Sequence, residues 1–103
     1  MFIQRVVFSA AQGKAQELRA LLEERAKFAQ SQGRPAALSV QVFGAGGGSY
    51  ALALRYDTLA ELEERRRSLA SDSTFQAWAA KVAGVTREPP EAELLEVLIP
   101  FPS

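Results

Sequence analysis

The chain contains neither cysteine nor histidine. Without cysteine it has no disulfide, no thiolate metal site and no thiol nucleophile. Without histidine it lacks the commonest general base, the commonest zinc ligand and the usual proximal haem ligand. Long apolar runs are missing too. Gln4 and Arg5 interrupt the hydrophobic start, and no segment approaches the roughly 20 apolar residues that a membrane-spanning helix needs. Nor is there an excess of charge: 12 basic residues balance 12 acidic ones with no basic block, which removes the electrostatic footprint of a nucleic-acid or anionic-membrane binder. From these absences we expect a cytoplasmic protein with no metal, no cofactor, and no nucleic-acid or membrane partner.

What is present is an ordinary globular composition. At 103 residues, 48% of them hydrophobic, the chain fits a single domain spanning 1–103. Phe2–Phe8 is rich in β-branched and aromatic residues, with Phe2, Gln4, Val6 and Phe8 on one face and Ile3, Arg5 and Val7 on the other. Lys14–Gln32 has helical periodicity: Ala15, Leu18, Leu22, Ala26 and Ala29 form a stripe that Leu21 and Phe28 widen. Glu23 and Lys27 are spaced to pair on its exposed side, Gly33 supplies a left-handed cap, and Pro35 stops continuation.

A strand is expected over Ala37–Phe43, followed by the glycine-rich stretch Gly44–Ser49. Those glycines open another strand rather than a helix, and no Gly-Lys-Ser or Gly-Lys-Thr follows, so we read a hairpin connection rather than a phosphate cradle. In Tyr50–Tyr56, Tyr50, Leu52, Leu54 and Tyr56 share one face. Ala51, Ala53 and Arg55 share the other, where the small alanines would let a helix lie close.

Thr58 and Glu61 have the form of a capping box. Leu59, Leu62 and Leu69 then make an apolar stripe with Arg66 between, and Glu61–Arg65 and Glu63–Arg67 are spaced to pair. The charged run 63–67 reads as a solvated helix face, with an anion site on Arg65–Arg67 as the lesser alternative. Ser71-Asp72-Ser73 interrupts the helix, and Ser73 with Gln76, or Asp72 as the cap, starts a second one carrying Phe75, Trp78, Ala79 and Val82 on one face, closed by Gly84. Ala92–Ile99 is the last strand, ended by Pro100 and Pro102.

Strand, helix, strand, strand, helix pair, strand is the order of a ferredoxin-like βαββαβ sandwich, an α+β fold with helices on one face of a four-stranded antiparallel sheet. Large apolar residues on both faces of the strands would leave the second face uncovered, so we expect two sheets to pack as a homodimer.

Three stretches carry a family resemblance. These are Gly-Lys-Ala-Gln-Glu-Leu at 13–18, Tyr-Asp-Thr-Leu-Ala-Glu-Leu-Glu at 56–63, and Ser-Asp-Ser-Thr-Phe-Gln-Ala-Trp at 71–78. With them the chain resembles the dimeric α/β-barrel superfamily over nearly its whole length, and within it small NIPSNAP-like and antibiotic-biosynthesis-monooxygenase-like proteins. The resemblance implies a homodimer whose two sheets form a barrel, with a pocket in each subunit between sheet and helices. It also brings cofactor-free monooxygenases, haem-degrading monooxygenases, muconolactone isomerases and chlorite dismutases into view. The haem branches rely on a histidine this chain lacks. The cofactor-free monooxygenases use a pocket tryptophan, to which Trp78 could correspond, and an asparagine, of which this chain has none.

The candidate ligand-binding residues are Trp78, Tyr50, Tyr56, Arg55, Phe75 and Glu96. Trp78, alone of its kind, offers either a core filler or a flat wall for an aromatic ligand. Tyr50 and Tyr56 read as core or dimer-seam residues. Arg5 and Arg55 sit mid-strand among apolar neighbours and must pair or extend to water, with Glu96 as the expected partner. Buried enough, Glu96 could act as a base. No catalytic motif is present. The leading functional expectation is a dimer that binds a small hydrophobic or aromatic ligand between sheet and helices. The alternatives are a cofactor-independent monooxygenase or isomerase acting on a quinol-like aromatic, and a purely structural subunit of a larger assembly.

Overall fold

The computed structural model describes residues 1–43 and 49–102. In chain order it runs β1 (Phe2–Ser9), α1 (Ala15–Ser31), β2 (Ala36–Val40), β3 (Ser49–Tyr56), α2 (Leu59–Ala70), α3 (Ser73–Ala83) and β4 (Glu91–Glu96). The strands form one antiparallel sheet in the order β2-β3-β1-β4. This is the expected ferredoxin-like βαββαβ arrangement. The glycine-rich connection lies, apart from Ser49, outside the described residues.

Local signals account for the helix ends. Gly33, at φ +74°, lets the chain leave α1 through a left-handed residue. Thr58 caps α2 by accepting from the Glu61 N–H at 3.2 Å, while the Glu61 carboxylate reaches back to the Asp57 N–H at 3.1 Å. At the α2–α3 junction the Asp72 carboxylate accepts from Thr74 and Phe75 N–H groups. A cap of this kind contributes about 1 kcal/mol and sets the entry angle of the helix that carries Trp78.

Register decides which side chains meet the helices. Opposed residues share a face, so Phe2, Gln4, Val6 and Phe8 of β1 stand with Tyr56, Leu54, Leu52 and Tyr50 of β3. That face carries the core: Phe8, Tyr50 and Leu52 pack under Leu18, Leu22 and Ala26 of α1 and Val82 of α3, with Val85 closing the cluster. Leu18 and Leu22 are completely buried.

The sheet therefore turns its large β3 residues, not its alanines, toward the helices. Ala51 and Ala53 lie on the opposite, uncovered face with Ile3, Arg5, Val7, Ala37, Ser39 and Leu95. The expectation that all four strands put large apolar residues on both faces is corrected too. On β2 and β3 the uncovered face is built of alanine, serine and Arg55, so the layer under the helices receives most of the bulk.

Several expected pairings resolve differently. Arg5 bonds Glu93 at 2.7 Å rather than Glu96. Glu96 stands opposite Phe2 on the helix-side face, and a side chain at even spacing from Leu94 cannot reach a partner on the other face. Both members of the Arg5–Glu93 pair are about half exposed, so it contributes at most about 1 kcal/mol. Glu23 pairs with Arg19 at 2.7 Å, not with Lys27, and Glu63 with Arg66 at 3.2 Å, in place of Glu61–Arg65 and Glu63–Arg67. Phe28 does not widen the buried stripe of α1 but is exposed. Strands β2 and β4 end earlier than expected, and Val42, Phe43, Leu98 and Ile99 lie beyond them, strongly exposed.

Candidate functional site: an apolar cavity edged by arginines

Between the sheet and the helices lies a cavity of about 300 Å³. Its floor is the helix-side face of the two central strands: Gln4, Val6 and Phe8 from β1, Leu52 and Leu54 from β3. Its walls are Ala29 of α1, Leu69 of α2 and the face of α3 that presents Phe75, Trp78, Ala79 and Val82, with Pro90 also contributing. The volume is at the lower end of the roughly 300–1,000 Å³ of small-molecule sites.

Trp78 is the organising residue of the wall. Its indole N–H donates to the Leu21 carbonyl at 2.9 Å, which ties α3 to α1 and satisfies the ring's one polar atom. The ring meets Phe8 edge-on at 6.4 Å and Phe75 in a tilted contact at 5.7 Å. Trp78 is thus held in place while its remaining surface lines open volume. It is both packed against the core and part of a cavity wall.

Three arginines complete the lining: Arg25 from α1, Arg34 from the α1–β2 turn and Arg65 from α2. The Arg25 guanidinium lies over the rings of Phe75, Phe28 and Trp78, at 5.0, 5.2 and 5.7 Å from their centroids. Burial is the main influence lowering the pKa of Arg25, and burial followed by the charges of Arg34 and Arg25 lowers that of Arg65. One guanidinium nitrogen of Arg34, Nη1, is buried with no hydrogen-bond partner among the described residues. An unpaired buried donor of this kind costs about 1–3 kcal/mol. None of the three arginines makes a salt bridge among the described residues, and no carboxylate lines the cavity.

The structure brings Phe75 and Trp78 together here and places the other candidates elsewhere. Tyr50 is buried in the core under α1, and its hydroxyl donates to the Ala15 carbonyl at 3.4 Å. Tyr56 and Arg55 border a second hollow of about 520 Å³, which shares Arg34 and Arg65 with the cavity and also touches Asp57, Glu61 and Glu64. Burial pushes the Tyr56 phenol above the usual tyrosine range, opposed by Arg65 and Arg34. Glu96 is exposed on the edge strand β4 and lines neither hollow. Among the described residues no group of acidic side chains is placed to hold a metal ion.

Arg25 and Arg34 were not singled out by sequence, and Arg65 was only one of a run of three. The spacing of α2 gives no signal that singles out Arg65: Arg65 and Arg66 each lie three or four residues from both Leu62 and Leu69, and only the folded structure turns Arg65 to the cavity and leaves Arg66 exposed.

The fold and the cavity together define a ferredoxin-like α+β sandwich with a small-molecule-sized void between its layers. No protein-family model matches the chain. No curated protein matches it either. Solved structures do. A NIPSNAP domain protein from Burkholderia xenovorans superposes with a TM-score of 0.81 over 100% of both chains at 18% identity. A NIPSNAP family protein from Agrobacterium tumefaciens gives a TM-score of 0.76 at 23% identity, covering 92% of this chain and 90% of that one. An antibiotic biosynthesis monooxygenase gives 0.73 at 11% identity, covering 96% of this chain and 100% of that one. The resemblance expected from sequence is thus present in the fold, and at these identities it is a likeness of fold.

Proposed function

We propose that the protein is a homodimer that binds a small hydrophobic or aromatic molecule in the cavity between sheet and helices. The observation that carries this reading is the cavity itself: a void lined by Val6, Phe8, Leu52, Leu54, Phe75 and Trp78, beside the buried core cluster. Empty apolar volume costs stability in proportion to its size. A bound apolar molecule would recover that cost. The same void argues against a purely structural subunit, for which a filled core would serve better.

The dimer is supported by the uncovered face of the sheet. Ile3, Val7, Ala51, Ala53 and Leu95 share it, every residue of β4 is exposed, and Leu98, Ile99 and Phe101 follow at 85–98% exposure. A second copy would take this surface out of water.

A second reading, cofactor-independent oxygenation of a quinol-like aromatic, is favoured by one observation: Trp78 lines the cavity in a fold shared with an antibiotic biosynthesis monooxygenase. Oxygen uptake on a quinol panel, compared between wild type and Trp78→Phe, distinguishes it from simple binding.

Native mass spectrometry in the presence of 4-phenylbutanol reads ligand and assembly together. The expected species is a dimer carrying one probe molecule per chain. A monomer that takes up no probe contradicts both parts.

A further inference from the structure

We infer that the ligand of this cavity is an anion, a carboxylate on a compact apolar or aromatic body, with its carboxylate seated between Arg34 and Arg65. The inference rests on the cavity being a ligand site and specifies the chemistry of what fills it.

Four observations lead there. First, the cavity is chemically divided: apart from Gln4 its floor and α3 wall are aliphatic and aromatic, while Arg25, Arg34 and Arg65 bring cationic groups to it from three separate elements. Second, the cavity side of this charge has no direct counter-ion: no carboxylate lines the cavity, and the salt bridges of the described residues involve other cations. Asp72, whose carboxylate accepts from the N–H groups of Thr74 and Phe75, favours the charged forms of Arg25 and Arg65 but makes no salt bridge with either. Third, Nη1 of Arg34 is a buried donor without a partner among the described residues, so a guanidinium at the edge of the cavity carries an unmet hydrogen-bonding demand that a small rotation toward a ligand oxygen would meet. Fourth, the three arginines do not play the same part. Arg25 is spread over Phe28, Phe75 and Trp78 and serves as a charged wall. That leaves Arg34 and Arg65 to hold the anion.

The arrangement is costly for an empty protein. Three guanidinium groups repel one another, and partial burial removes part of the hydration that would screen them. A bound carboxylate reverses the sign of this cost. It offers the Arg34 guanidinium an acceptor, adds a counter-charge on the cavity side, and leaves its apolar body to fill the void beside Trp78. Guanidinium suits this task better than ammonium because its planar fork matches the two carboxylate oxygens. The neighbouring hollow contains Glu61 and Glu64, which would repel an anion there and so confine it to the cavity side of Arg34 and Arg65.

The test is isothermal titration of the whole protein with a matched pair of probes, 4-phenylbutanoate and 4-phenylbutanol, alike in body and different in charge. The acid should bind roughly tenfold tighter or better, the scale of a charge-assisted hydrogen bond. The preference should shrink as salt is added. In Arg34→Gln and Arg65→Gln the ratio of acid to alcohol affinity should fall toward unity, while Arg65→Lys, which keeps the charge, should retain part of it. Equal binding of the two probes by the wild type overturns the anion inference and leaves the hydrophobic site standing. Binding of neither overturns the site and the inference with it. Because the wild-type ratio is itself decisive, a variant that fails to fold does not remove the test.

Discussion

Leu22→Ala should destabilise the protein by about 4 kcal/mol, within the range for burying a cavity in place of a leucine side chain. Leu22 has no exposed surface and lies at the centre of the cluster formed by α1, β1 and β3. Its neighbours Leu18, Phe8 and Tyr50 are each fixed by their own element, so little collapse into the vacated space is available. For a domain of about this length, a loss of this size lowers the melting temperature by some 15 °C or more. Urea denaturation followed by circular dichroism measures it. Leu22 does not line the ligand cavity, so any Leu22→Ala protein that remains folded should keep its preference for one probe over the other.

Ala79→Phe should produce the opposite pattern. Ala79 is on the wall of the cavity between Phe75 and Val82, on the inward face of α3. A phenyl ring there projects into empty volume rather than into packed atoms, so the overpacking cost of about 1–3 kcal/mol seen in dense cores should be small or reversed. The ring should occupy the space a ligand body needs and weaken binding of 4-phenylbutanol by at least roughly tenfold, about 1.4 kcal/mol. A variant that melts near the wild type and no longer binds separates the cavity from the fold. One that binds as well as wild type shows the ligand to lie elsewhere.

Legibility from sequence followed the range of the interactions. The capping of α2 by Thr58 and of α3 by Asp72, and the left-handed exit at Gly33, depend on residues within four positions of each other, and each was readable as a local pattern. Strand order followed from element order and the known handedness of crossovers. Facing was harder. In β3 the alternation of Tyr50, Leu52, Leu54 and Tyr56 with Ala51, Ala53 and Arg55 is plain, yet alternation alone does not say which set meets the helices. The assignment of the alanines to the helix side failed on this point. Glu96 failed for a related reason: its strand neighbours β1, but its face is set by a register that only the folded sheet defines.

The site was legible in half. Phe75 and Trp78 share one helix face by spacing and needed no tertiary information. The arginines needed all of it. On their own helices Arg25 and Arg65 look like members of charged, water-facing runs, and Arg34 like part of a turn. Their meeting point is created by both crossovers of the fold, which bring α1, the α1–β2 turn and α2 to the same end of the cavity. Arg66 and Arg67, adjacent in sequence, remain exposed on the outer side of α2.

The most direct test of the cavity as a ligand site uses Trp78, the chain's single tryptophan, which lies in the cavity wall. Its fluorescence can be followed while 4-phenylbutanoate is added. The expected result is a saturable change in intensity and emission wavelength at one equivalent per chain, lost in Ala79→Phe. A signal that stays flat up to the solubility limit of the probe, or that changes equally in Ala79→Phe, would contradict a ligand bound between the sheet and the helices.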